Sequence, residues 1–115
     1  MLTSTDDAGL AEVGVASSSA ETQVKLLAGL ARDAGVDGVV CSPREAALMR
    51  ALMGEQALVV TPGIRPSWSQ TDDQSRVATP AAALAAGASH LVIGRPITTA
   101  SSPAEAAARI ISELS

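Results

Sequence analysis

The chain has 115 residues, 47% hydrophobic and 17% charged, enough apolar material for a core but too little length for two ordinary domains. Twelve acidic against eight basic residues leave a net charge of −4, and with one Trp and no Phe or Tyr, both the basic patch and the stacking aromatics of a nucleic-acid binder are missing. A single cysteine, Cys41, closes no internal disulfide, and no apolar run nears the ~20 residues of a membrane span, so a soluble cytoplasmic protein is expected.

In chain order, residues 1–4 read as the last residues of a strand, and Asp6-Asp7 as acids in the first turn of a short helix over 8–13. So short a strand at the head of the sequence leads to the expectation that more chain precedes it. Residues 20–34 set Val24, Leu27, Ala28, Ala31 and Ala34 on one helical stripe, opened by a Ser18/Glu21 capping box. The β-branched run 37–41 follows, and Ser42-Pro43-Arg44-Glu45 repeats the box before a helix with Met49 and Met53 as core filler. A second β-branched run covers 57–61, and residues 62–78 then show neither a helical nor a strand period. A loop of that length in a compact domain is usually functional or disordered. Thr79-Pro80 caps the next helix, 90–94 is a third β-branched run, 95–98 opens a helical turn, and Ser102-Pro103-Ala104-Glu105 caps the last helix. Gly35, Gly54 and Gly87 close helices.

The three β-branched runs are continuous rather than alternating, as strands covered on both faces of a parallel sheet should be. Strand, cap, helix, glycine, strand is the order of βα units, and the fold class is α/β. In such folds functional groups collect at the carboxyl ends of the strands. That rule selects Thr3, Ser42, 61–65 with the loop behind it, and Gly94-Arg95. Gly94-Arg95 with Pro96-Ile97-Thr98 reads as a phosphate site, in which glycine admits the ligand, the turn offers amides and arginine adds a fork of donors. By itself the dipeptide favours an ordinary strand-end glycine with a surface arginine. Thr61-Pro62-Gly63-Ile64-Arg65-Pro66 stiffens the strand exit and fixes where Arg65 points. At the far end of the loop stands Gln74, a neutral amide able to donate to a phosphate or base, behind the solvating acids Asp72 and Asp73.

The spaced run TPGIRP, DQ and GRPIT resembles the C-terminal half of bacterial orotidine 5′-phosphate decarboxylases, and LTSTD and GLARDAGVDGVVCSPREAALMR extend the resemblance over the whole chain. It implies a partial (β/α)8 TIM barrel, from the end of strand five through strand eight and the C-terminal helix, with 1–115 as that half barrel and 62–78 as a phosphate-side lid loop. Such a barrel typically needs ~250 residues, and this length fits about half of one. The resemblance further implies that Arg65, Gln74, Gly94 and Arg95 bind the nucleotide phosphate and its surroundings, and that Thr3 reaches the ribose or pyrimidine. The ligands would be orotidine 5′-phosphate and uridine 5′-phosphate. Neither metal nor organic cofactor is implied, and the complete enzyme would be a cytoplasmic homodimer working in pyrimidine synthesis.

Two departures from the family accompany the resemblance. The loop carries Trp68, Gln70 and Asp72, where many bacterial members have smaller or glycine-containing sequence. The family's catalytic Asp-x-Lys-x-x-Asp motif is absent: the one lysine, Lys25, falls within a helix and reads as a solvated face residue. The chain alone is therefore expected to be inactive and, with unpaired sheet edges, to self-associate or be only marginally folded. The alternative is a non-catalytic phosphate- or nucleotide-binding half barrel. A related phosphosugar decarboxylase or isomerase would share Gly94-Arg95 but not the TPGIRP and DQ pairing. His90, at the opposite end of its strand, reads as structural or exposed, Cys41 as a small buried hydrophobe, and one His with one Cys builds no metal cluster.

Overall fold

The β-branched runs pair in register to make the sheet. In a computed structural model that describes residues 6–15, 19–69 and 77–114, Gly38–Val40 (β1), Leu58–Thr61 (β2) and His90–Leu91 (β3) form a parallel sheet in the order β1-β2-β3. Val39 lies opposite Val59, and Thr61 opposite Leu91. Gly38 is required by this register, since a Cβ there would collide with the carbonyl and side chain of Leu58.

The helices are α1 (Asp7–Glu12), α2 (Ala20–Asp33), α3 (Ala46–Met53) behind a 3-10 turn (Pro43–Glu45), α4 (Pro80–Ala85), α5 (Arg95–Thr98) and α6 (Pro103–Glu113). Their starts follow the cap signals. Thr79 Oγ1 accepts from the Ala82 amide and Ser102 Oγ from the Glu105 amide. Glu45 turns back to accept from the Ser42 amide at 3.0 Å and from the Ser42 hydroxyl. The expected Ser18/Glu21 box is corrected. Ser18 lies outside the described residues, and the cap is Ser19, extended at φ −64° and ψ 157°, accepting from Thr22. Glu21 instead pairs with Lys25 at 2.6 Å on an exposed face.

Val24, Ala28, Cys41, Ala46, Met49 and Val59 form a core between the sheet and α2 and α3, and Ile64, Ala83 and Ala88 form a second cluster under α4 with Leu91 and Ile93 against them. Strand residues alternate between faces. Those at Val39, Val59 and Leu91 meet helices, while Val40, Leu58 and Val92 on the alternate positions are 63%, 46% and 51% exposed. The expectation of strands covered on both faces is thus met on one face only among the described residues. The predicted α2 stripe buries Val24 and Ala28 but fails at Leu27, 44% exposed, and at Ala34, also exposed.

The third run is also shorter than 90–94. After Leu91 only one further bond is made, from the Val92 amide to Thr61 O at 2.9 Å. β2 itself ends at Thr61, and Gly63 (φ 76°) turns the chain away from β3.

Candidate functional site

The exit from β2 is held at a neck. Beyond Thr61, Ile64 bridges Ala78 in parallel fashion, the Arg65 amide donating to Ala78 O at 2.9 Å and the Ala78 amide to Gly63 O at 3.3 Å. The loop 62–78 therefore leaves and returns through one hydrogen-bonded point. Arg65 sits at that point, its side chain 7% exposed. Residue 66 to 69 form a turn in which the amide and the hydroxyl of Ser69 both donate to Pro66 O, at 3.0 and 2.9 Å.

The exit from β3 supplies the second arginine. Gly94 precedes α5, whose first residue is Arg95, and the predicted helical turn at 95–98 is present. Its amides are not the open set expected from the sequence. Pro96 has none, and those of Ile97 and Thr98 both donate to Gly94 O, at 2.9 and 3.1 Å.

The two exits converge. Arg65 and Arg95 line a cavity of about 540 Å³ with Trp68, Ser69, Pro96, Thr99 and Ala100. Both also line a smaller one of about 240 Å³ beside Gly63, Val92 and Gly94. A guanidinium stays charged at any ordinary pH and presents a planar fork that matches phosphate or carboxylate oxygens. None of these lining residues is a carboxylate, histidine, cysteine or lysine. Among the described residues the arrangement can hold an anion and offers no group that exchanges a proton near neutrality.

Of the five residues singled out in the sequence, Arg65, Gly94 and Arg95 come together here, whereas Thr3 and Gln74 lie outside the described residues. Two other residues at strand ends do not reach the cavities. Thr61 is fully buried, and Ser42 is buried and committed to Glu45. Ser69, Thr99 and Trp68 line the site without having been selected for it. Trp68 alone carried a signal, as the one aromatic residue of the chain. Cys41 is buried on the helix side of β1. Burial pushes its thiol above the ordinary value; the Thr61 hydroxyl beside it, which makes no hydrogen bond of ordinary geometry, works against this, and the Glu45 charge adds to it. Lys25 and His90 are exposed, and no group of three or more His, Cys, Asp or Glu among the described residues is arranged to hold a metal ion.

Comparison with known proteins places the chain in a family. Residues 1–110 match the family model described as Orotidine 5′-phosphate decarboxylase / HUMPS family. Proteins named orotidine 5′-phosphate decarboxylase from Rhodospirillum rubrum and a Caulobacter species are 57% and 55% identical over 114 residues, which is 99% of this chain and 46% and 49% of theirs. The crystal structure of orotidine 5′-phosphate decarboxylase from Lactobacillus acidophilus superposes with a TM-score of 0.78 at 37% identity, over 99% of this chain and 46% of that one. The chain spans about half the length of the curated relatives it matches. At the level of architecture it is a partial α/β barrel, and it belongs to the orotidine 5′-phosphate decarboxylase family.

Proposed function

We propose that this chain supplies the phosphate-gripping part of an orotidine 5′-phosphate decarboxylase, which converts orotidine 5′-phosphate to uridine 5′-phosphate and CO2 in cytoplasmic pyrimidine synthesis, working without a cofactor as a homodimer. The observation that carries it is the convergence of Arg65 and Arg95 on one cavity at the carboxyl ends of β2 and β3, in a chain of this family. In this proposal Arg65, Gln74, Gly94 and Arg95 hold the phosphate, Thr3 reaches the ribose or pyrimidine, and the loop 62–78 closes over the nucleotide. Phosphate binding far from the reacting carbon then supports the transition state. Loss of CO2 leaves an electron pair on the ring carbon that a proton must take up. Lys25, on an exposed helix face and paired with Glu21, is no donor for it, so the proton comes from the family's Lys/Asp segment in the other half of the barrel.

Mixing this chain with the part of the Rhodospirillum rubrum relative that precedes the matched segment, and assaying uridine 5′-phosphate formation, tests the proposal. Turnover in the assembled complex is expected. A soluble complex that forms and shows none contradicts it. The position of Lys25 favours a second function, a half barrel that binds nucleotide without turning it over. A complex that binds uridine 5′-phosphate yet never decarboxylates would select it.

A further inference from the structure

Trp68 lies three residues after Arg65, on the outgoing limb of the loop, and is the only aromatic side chain in the protein. Its indole N–H donates to Glu113 Oε1 at 2.6 Å, and the Arg109 guanidinium stands 4.5 Å from its ring centroid. Arg109 and Glu113 are four residues apart on α6 and so share a face. One contact fixes the edge of the ring and the other its face, and together they set its orientation. The same ring walls the cavity of about 540 Å³ that Arg65 and Arg95 line. Arg65 is therefore held between two fixed points, the bridge from its amide to Ala78 and the 66–69 turn that Trp68 ties to α6.

We propose that Trp68, Arg109 and Glu113 form a clasp that positions Arg65 for an anionic ligand, making the last turns of α6 part of the support of the phosphate site. This rests on the phosphate-binding function proposed above. Without the clasp, the 66–69 turn is left to its own hydrogen bonds. Part of the ordering that binding requires must then be met when the ligand arrives, and affinity falls.

The test is a titration of the full chain with uridine 5′-phosphate by calorimetry, alongside Trp68 emission, which no Tyr or Phe obscures. Glu113→Ala and Arg109→Ala are expected to shift the emission to the red, to expose the ring to acrylamide quenching and to weaken binding about five- to tenfold. Glu113→Gln, which keeps an acceptor, and Arg109→Lys, which keeps a cation, should restore most of the affinity. Unchanged affinity in both alanine variants overturns the clasp and leaves phosphate binding standing. Absence of binding by the wild-type chain overturns both. Should an alanine variant lose helical ellipticity, Trp68→Phe decides, since it removes the N–H donor and leaves α6 untouched: weakened binding supports the clasp, and wild-type affinity overturns it.

Discussion

Cys41 shows how little a residue's chemistry can be read from its type. Its place at the end of a β-branched run made a small buried hydrophobe the expected role, and the structure buries it to 5% exposure against Val24, Ala28 and Met49. A buried thiol holds its proton in the folded state to a pH at which the unfolded chain has already lost it. The stabilisation is fully present below the ordinary thiol value of about 9 and declines as pH rises beyond it, by at most about 1.4 kcal/mol per pH unit. Urea unfolding at pH 8 and pH 10 is expected to show a larger loss for wild type than for Cys41→Ala. Equal losses would place the thiol in contact with solvent. Arg65 and Arg95 were legible in the sequence because prolines and glycine on either side restrict where each can point. Trp68 was not, because its partners lie on a helix 45 residues away along the chain for Glu113, and no local pattern marks such a pairing.

Elements are joined here by side chains as well as by the sheet. Arg50 on α3 donates through Nη1 to the carbonyls of Gly54, Glu55 and Ala57, and through Nε and Nη2 to Gly87 O at 3.1 and 2.9 Å. It closes its own helix and ties it to the end of α4, where Gly87 (φ +105°) leaves no room for a Cβ against the Arg50 stem. Replacing Arg50 by Ala leaves part-buried carbonyls short of a charged donor and should cost about 2–3 kcal/mol, read as a lower urea midpoint with unchanged slope. A shift under about 0.5 kcal/mol would make the contacts incidental. The helix starts at Ser42, Thr79 and Ser102 were readable because a cap is a short-range pattern. The Arg50 tie was not, since its Gly87 partner stands 37 residues away. Nor was the early end of β3, which depends on where the neighbouring strand ends, at Thr61, rather than on the apolar run 90–94 itself.

At the scale of the molecule the protein is a slab of 44 × 33 × 17 Å, with a radius of gyration of 15.1 Å against about 13 Å for a typical compact chain of this length. Continuous β-branched runs signal strands covered on both sides. Among the described residues helices cover one side, and Val40, Leu58 and Val92 remain on the other. Bare apolar positions and open strand edges favour association. Sedimentation of the chain alone should give an average mass that rises with concentration, and Val40→Glu should lower it. A monomer with a sharp cooperative melt at every concentration would contradict this.

The central claim is that this part of the barrel recognises phosphate through Arg65 and Arg95. Calorimetric titration of the chain with uridine 5′-phosphate and with uridine tests it most directly. The nucleotide should bind, the nucleoside should not, and Arg65→Ala or Arg95→Ala should each weaken nucleotide binding about tenfold to a hundredfold. Equal binding of nucleotide and nucleoside, or wild-type affinity in both alanine variants, would contradict it.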